Sequence, residues 1–440
     1  MPKVFFISAG QNDIKKEPSI KNTKNMYLNY GALLLSTIIK KAGFDVTLIH
    51  GHFKKPIQFI NELIDLKITD STQPIFISIP SFYALSWTKE ITKLLKEKVN
   101  NKIYVGGRWI IDNRPDLLKK ELDFVDGIIT DLGENKILKY LTGKEDNNNY
   151  SNLPLDYTLL YERELFQPSI EISRGCGMGC SFCQEKNIKL EDLKPAKSIV
   201  SEYNKLLLND SLNEMTPYFE CSMFKPTKEW LNELINEREK NNSLFSWRTE
   251  SRVDSINSNL IPLLAKAGLK VIDLGLESAS IIQLHRMKKK EYKPEVYLKK
   301  ASDFIKECHD NNIKTKINIM LYAGENEETI NETKQWLREH NDYIYGVSVG
   351  VVSAFGWDCN KKEFIAELES YGATVCEEKS ILGVTNFHLS NELNYDKSIK
   401  IAKEISNEFM SMDNYFYLKS FSYYPRNYSK KEFLADINQY

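Results

Sequence analysis

The sequence predicts an α/β protein in three parts. These are a doubly wound, Rossmann-like parallel sheet (residues 1–145), a linker (146–165) leading to a partial (β/α)6 barrel (166–357), and a small, mainly helical, aromatic-rich C-terminal cap (358–440). Three observations predict it. Short apolar runs rich in β-branched residues alternate with amphipathic helical patterns over most of the chain, as in parallel sheets crossed by helices. The alternation breaks at the polar, asparagine-rich stretch 143–157 (GKEDNNNYSNLPLDY), and it stops after Trp357.

In the first part, 3–8 (KVFFIS), 45–50 (DVTLIH), 74–80 (PIFISIP), 102–105 (KIYV) and 124–130 (FVDGIIT) read as buried strands. Helical patterns lie at 27–42, 56–66, 83–97, 114–121 and 134–141, and Gly43 stops the first of them. Such sheets are covered on both faces and bind ligands at the carboxyl ends of their strands. The loop after the first strand, Ala9-Gly10-Gln11-Asn12, lacks the GxGxxG of a dinucleotide site. In the second part, 169–173, 218–221, 245–250, 270–275, 314–321 and 345–352 read as strands, with helices at 195–208, 228–239, 258–267, 293–311 and 327–340. Six such units suggest an open barrel whose functional groups belong at the carboxyl ends of the strands. The tail carries two amphipathic patterns, 361–371 and 396–412, and the aromatic run 415–424 (YFYLKSFSYY). The run reads as a cap burying rings in the barrel seam, or as part of the wall of a substrate pocket.

The balance of 59 basic and 60 acidic residues, a formal charge of -1, gives no electrostatic argument for nucleic acid. No apolar stretch of about 18 residues is present to span a bilayer, and the N-terminal apolar run is too short for a signal peptide. The expectation is a cytoplasmic protein acting away from membranes. Seven cysteines without a pairing pattern suit a reducing compartment.

Cys176, Cys180 and Cys183 are spaced CxxxCxxC in ISRGCGMGCSFC, at the end of the first barrel strand. A structural zinc site closes with four ligands, usually in two pairs, whereas Cys221, Cys308, Cys359 and Cys376 are scattered singly. Three thiolates suit an iron–sulfur cubane with one iron left open for a ligand. This spacing, with Phe182 before the last cysteine, resembles the radical S-adenosylmethionine (SAM) enzymes. The resemblance implies one [4Fe-4S] cluster whose open iron is chelated by the methionine end of SAM. One electron, from an external reductant such as flavodoxin or ferredoxin, then cleaves the sulfonium to give a 5′-deoxyadenosyl radical. By the same resemblance Phe182 packs beside the adenosyl group. Glu277, in GLES, takes the ribose. Arg252, in WRTESRVD, lies near the cofactor carboxylate, with Arg248 competing for that role. Ser222 meets the methionine amino group, with Glu220 beside it, although FECSMF departs here from the FxDDxF of many relatives. The turn 324–329 (GENEET) resembles a glycine-containing turn of the family. Cys221 reads as packing.

An α/β domain ahead of the motif resembles the cobalamin-binding subgroup, in which a corrinoid lies between that domain and the barrel. The loops 78–82 (SIPSF), 106–109 (GGRW) and 131–134 (DLGE) match in kind, which gives Ser81, Phe82, Gly106, Gly107 and Gly133 as corrinoid contacts. The DxHxxG of other cobalamin proteins is missing, and His50 and His52 fall in the wrong loop to replace it. Methylthiotransferases carry cluster cysteines in their first domain, and here none precedes Cys176. The subgroup implies methyl transfer to an unactivated carbon of a small-molecule or natural-product intermediate, through the deoxyadenosyl radical and methylcobalamin. Radical cyclisation, rearrangement or carbon–sulfur chemistry, with or without corrinoid, is the alternative. A non-catalytic metal-binding regulatory protein is the alternative of another class.

Overall fold

The computed structural model describes residues 1–12, 22, 24–107, 115–130, 132–146, 148–150, 153–207, 215–289, 293–356 and 359–437. Arg108, Trp109, Asp131 and Trp357 of the stretches named above lie outside the described residues.

Strands β1 (Lys3–Ser8), β2 (Asp45–His50), β3 (Ile75–Ser78), β4 (Ile103–Gly106) and β5 (Gly127–Ile129) form a parallel sheet in the order β2-β1-β3-β4-β5. Val4 and Phe6 point to one face of β1, Phe5 and Ile7 to the other, and all four are buried. Apolar runs without alternation are the mark of a strand covered on both sides. The order reverses between β1 and β3, where such sheets open a crevice. Here that crevice is filled from within: Asn29 caps the helix Tyr30–Lys41 and donates to Ser8 Oγ (2.9 Å) and Ser78 Oγ (3.0 Å). The carboxyl ends left for a ligand are those of β3, β4 and β5.

The second part of the expected linker is not a free tether. Leu155, Tyr157, Leu159 and Leu160 are buried, and Tyr161 N–H donates to Leu48 O of β2 (2.9 Å). The Tyr157 hydroxyl donates to Ser169 O (2.7 Å) where the barrel begins.

Strands β6 (Ser169–Glu171), β7 (Tyr218–Glu220), β8 (Trp247–Arg252), β9 (Leu269–Glu277), β10 (Lys314–Leu321) and β11 (Gly346–Val351) form a second parallel sheet in consecutive order. Ile170, Phe219, Trp247, Ile272, Leu274 and Ile317 join the core under the surrounding helices. The residues between them, Glu171, Glu220, Arg248, Glu250, Asp273 and Lys316, therefore face the barrel interior. At its heart Arg248 forks onto Asp273 (2.7 and 2.9 Å) and also donates to Leu418 O of the helix Met412–Ser420, while Lys316 reaches Asp273 from the next strand (3.1 Å). Burial opposes the Asp273 charge, but Arg248 and Lys316 outweigh it and hold its carboxyl well below the usual range.

That helix, with Phe421, packs on Val271, Tyr345 and Met410 at the amino end of the barrel. The aromatic tail thus closes the end opposite the cysteines. The tail is not helical throughout. Strands β12 (Ala354–Phe355), β13 (Thr374–Ile381) and β14 (Val384–His388) form an antiparallel sheet that the periodicity did not reveal, beside the helices Cys359–Ser370, Tyr395–Phe409, Met412–Ser420 and Lys430–Ile437. Among the described residues no helix is long and apolar enough to cross a membrane.

Two predictions follow from this packing. Arg248→Ala strands the buried Asp273 carboxylate and should cost about 3–5 kcal/mol, read as a fall in the denaturation midpoint. His50 and His52 stack at 5.3 Å under Phe166, and burial pushes both imidazoles down, His52 to about 4. An unfolded imidazole titrates near pH 6.5, so between there and about pH 4 the unfolded chain binds more protons than the folded one. Stability should fall as the pH drops through that window, and His52→Gln should flatten this acid limb of a Tm-against-pH curve.

Candidate functional site

The cysteine loop leaves β6 and folds on three glycines in the left-handed region, Gly175 (φ +74°), Gly177 (φ +68°) and Gly179 (φ +72°), which alternate with the first two cysteines. A Cβ on Gly175 would stand 2.1 Å from Lys189 O, so the return strand of the loop packs directly against it. Cys176 N–H donates to Ile188 O (2.9 Å), Cys183 N–H to Cys180 O (3.1 Å), and Glu185 N–H to the Cys183 sulfur (3.3 Å). The three thiols lie within electrostatic reach of one another, and burial raises those of Cys176 and Cys183, the latter to about 11. Metal binding here must release protons.

The sulfurs nevertheless do not converge on a single point. Among the described residues one trio of ligand atoms lies within 4.8 Å of one another, and it is Cys376, Glu378 and His388. Sulfurs around one tetrahedral zinc stand about 4 Å apart, and Cys176, Cys180 and Cys183 are not all held that closely here. A cubane places each cysteine on a different iron and accepts the wider span. The Cys376 trio fails on other grounds. His388 Nδ1 accepts the Tyr395 N–H (3.1 Å), which leaves the proton on Nε2, facing Glu378 at 3.8 Å, with no lone pair for a metal.

The side chains around the loop sort the candidates. Arg252, at the end of β8, donates to the Cys180 sulfur (3.4 Å) and is held by both oxygens of Asp254 (2.8 and 2.9 Å). Arg248 sits four residues earlier on the same inward face, locked to Asp273, so of the two it is Arg252 that stands at the cysteines. Glu277 ends β9 with φ +68°, a strained backbone for a residue with a side chain, where the register with β10 slips at Asn318/Ile319. Its carboxylate meets Lys289 Nζ (3.3 Å). Burial opposes the charge of that lysine, yet Tyr297, Glu277 and Cys180 outweigh burial and raise its pKa. Lys289 also lies 6.0 Å from the Phe182 ring, which links Phe182 and Glu277 through one cation.

Ser222 is exposed after β7, and the methionine of the same loop, Met223, brings its sulfur to 4.0 Å from Cys176. Glu220 accepts from Ser169 Oγ and points into the barrel rather than at the cysteines. Burial, then Glu171, raises its carboxyl to about 7; burial, then Glu220, raises that of Glu250 to about 8. Glu250 is exposed in surface terms although it stands among Tyr218, Glu220, Asp273 and Lys316, so it borders an internal space. Cys221 is buried against Thr249 (3.4 Å). Asn326 caps the helix Glu327–Glu339 with a capping box to Thr329, and Glu327 and Glu328 occupy its first turn.

The first domain presents its carboxyl strand ends to this site. Arg174, two residues before Cys176, pairs with Glu171 (2.9 Å) and with Glu134 of the loop after β5 (3.1 Å). On the far side, Phe82 stacks on Phe355 of β12 (6.2 Å), and Gly383, at the β13–β14 turn, lies so close that a Cβ would meet the Phe82 ring at 2.3 Å. Phe82 is therefore buried between domains. Gly107 (φ +149°) passes against Ile79 O, and Gly133 packs on Leu35. Gly106 ends β4 and is half-buried. Ser81 Oγ is enclosed without a hydrogen-bond partner, the kind of orphan a ligand satisfies. His50 is buried away from these loops, with Nε2 taken by Asn29 N–H (3.0 Å).

Sequence reasoning missed Arg174, Glu134, Asp254, Lys289 and Glu250. The last was legible: Arg248, Glu250 and Arg252 alternate in WRTESR, and period two puts them on one face. Glu134, Arg174 and Lys289 find partners farther along the chain, in Arg174, Glu134 and Glu277, whereas Asp254 lies only two residues from Arg252. Anaerobic reconstitution should yield about four iron and four sulfide per chain, lost in the Cys176→Ala/Cys180→Ala/Cys183→Ala variant; one zinc without sulfide would overturn the cluster assignment.

Residues 170–337 match the model of the Radical SAM superfamily. A curated relative, the anaerobic magnesium-protoporphyrin IX monomethyl ester cyclase of Rubrivivax gelatinosus, is 27% identical over 175 residues, 38% of this chain but 30% of that protein. Among solved structures, the radical SAM methyltransferase TsrM from Kitasatospora setae, with tryptophan substrate and a SAM analogue bound, superposes with a TM-score of 0.66 at 14% identity over 94% of this chain and 90% of that one. The cobalamin-dependent SAM radical enzyme OxsB, with aqua-cobalamin bound, gives 0.58 at 17% identity over 84% of this chain and 56% of that one. The cysteine-bearing barrel is thus the part of the chain that matches the radical SAM superfamily, and the chain as a whole shares the two-domain fold of TsrM and OxsB.

Proposed function

We propose that the protein is a cobalamin-dependent radical SAM enzyme that transfers a methyl group to an unactivated carbon of a small-molecule or natural-product intermediate. The observation that carries the reading is the facing of two carboxyl strand edges. The β3–β5 ends of the first sheet meet the cysteine end of the barrel, pinned by Arg174–Glu134 on one side and Phe82–Phe355 on the other. Ligands of both sheet types bind at those ends, so one cleft serves both. The enclosed Ser81 Oγ of the first domain lacks the hydrogen-bond partner that a ligand would supply. TsrM and OxsB, whose fold the chain shares, are a methyltransferase and a cobalamin-dependent enzyme respectively.

In this reading Cys176, Cys180 and Cys183 hold the cluster. Arg252, fixed by Asp254, offers a guanidinium edge to the SAM carboxylate. Glu277 accepts from the ribose, oriented by Lys289. Bound cobalamin supplies a transferable methyl group. The protein's part is placement, since catalysis by two cofactors depends on holding reactive atoms at near-attack distance. A second reading, radical cyclisation, draws on the resemblance of part of the chain to a cyclase.

The test needs no known substrate. Protein reconstituted with iron, sulfide and cobalamin should retain a corrinoid through gel filtration, and with reductant it should convert SAM into both 5′-deoxyadenosine and S-adenosylhomocysteine. Deoxyadenosine without S-adenosylhomocysteine favours the cyclase reading. Arg174→Gln should leave iron content and deoxyadenosine formation in place while lowering corrinoid retention by about tenfold, the weight of a partly buried charge pair at an interface.

A further inference from the structure

The cysteine loop has two sides. Its inner side meets Arg252 and Met223. Its outer side borders a solvent-open recess of about 590 Å³ lined by Cys176, Gly177, Lys186, Asn187, Lys189 and Leu190. Cys176 is only half-buried, and Gly177, Gly179, Gln184, Asn187 and Lys189 are exposed. The backbone of Gly177 carries no side chain, so nothing but the loop itself separates the Cys176 sulfur from the recess. Lys186 and Lys189 stand on its rim, and neither has an ion-pair partner among the described residues. That distinguishes them from Arg174, Lys194, Lys288 and Lys289 nearby, each of which is paired with a carboxylate. Two cations without an ion-pair partner among the described residues thus line the solvent-open recess that reaches Cys176.

Radical SAM chemistry consumes one electron for each sulfonium cleaved, and that electron must reach the cluster from outside. Transfer falls off steeply with distance, so the carrier must approach a solvent-open face of the cysteine loop. We propose that this recess is the docking surface for an acidic one-electron carrier protein, with Lys186 and Lys189 steering it to the Cys176 edge of the cluster. The inference rests on the radical SAM reading above. The step balances simply: the carrier is oxidised by one electron, the oxidised cluster is reduced by one, and no proton or group moves. Redox encounters of this kind use small interfaces and charge complementarity more than buried area, which is what a shallow recess with two free lysines provides.

The experiment compares two reductants on the reconstituted full-length protein. Lys186→Glu/Lys189→Glu should raise the concentration of reduced flavodoxin giving half-maximal 5′-deoxyadenosine formation by about tenfold or more. The dithionite-driven rate should stay unchanged, because a small reductant needs no docking. Raising the salt from about 50 to about 300 mM should slow the flavodoxin-driven rate of the unmodified protein and hardly touch that of the variant. Titration calorimetry with oxidised flavodoxin should show the same loss of affinity without any turnover. Unchanged flavodoxin dependence and affinity would overturn the proposal. Equal loss with both reductants would overturn it too, since the lysines would then serve the loop rather than a partner. If the unmodified protein makes no deoxyadenosine with either reductant, the radical reading fails instead, and the calorimetric comparison still decides the docking surface.

Discussion

The Arg174 guanidinium holds Glu171 at the end of β6 and Glu134 of the first domain at once, two residues before the first cysteine. Both carboxylates are largely shielded, with side-chain exposures of 22% and 15%, so the pair is less screened than a surface bridge and orients more than it stabilises. Most other features of the site presuppose the orientation it sets. The cysteine loop stands beside Glu134 of the first domain, and Glu277 and Arg252 approach it from the neighbouring barrel strands β9 and β8.

The barrel inverts the usual distribution of polarity. Closed barrels fill their interiors with layers of branched apolar side chains. This half-open one turns its apolar residues outward, under the helices, and lines its interior with Glu171, Glu220, Glu250, Asp273, Lys316 and Arg248. At the amino end those charges cancel, because Arg248, Asp273 and Lys316 form one network capped by the aromatic tail. On the strands beside Asp273 they do not. Glu220 and Glu250 have neutral hydroxyl partners, Ser169 and Tyr218, and their carboxyls are raised toward neutrality by burial, helped by Glu171 at the first and by Glu220 and Asp273 at the second. The interior is thus neutralised around Asp273 and electrostatically unfinished beside it, at Glu220 and Glu250, as a chamber that awaits a ligand must be.

Function also dictates the local strain. Three left-handed glycines let the cysteine loop reverse direction within a few residues, and Glu277 takes a left-handed backbone at a strand bulge. Neither arrangement is the lowest-energy choice for an isolated peptide. Both persist because neighbours determine them: Lys189 O against Gly175, and Lys289 with Tyr297, whose hydroxyl donates to Gly275 O (3.0 Å) and Leu276 O (3.1 Å), beneath Glu277.

By itself the sequence determined the strand–helix alternation, the two parallel sheets and the cysteine spacing, because these are local: periodicity of two and of 3.6 residues, and three thiols within one loop. It also placed Arg252 and Glu277 at strand ends, though it could not separate Arg252 from Arg248, since both share one strand face and only the partner, Cys180 or Asp273, tells them apart. It left the antiparallel strands β13 and β14 unseen, because exposed, charged strands such as TVCEEKSI carry little apolar alternation. The tertiary structure alone decided the rest. Glu134 and Arg174, Phe82 and Phe355, and Lys289 and Glu277 become partners only when the domains or strands meet. Asn29 closes the crevice that the strand order opens. Pairing between residues far apart in the chain depends on where folding brings them, and no local pattern records that.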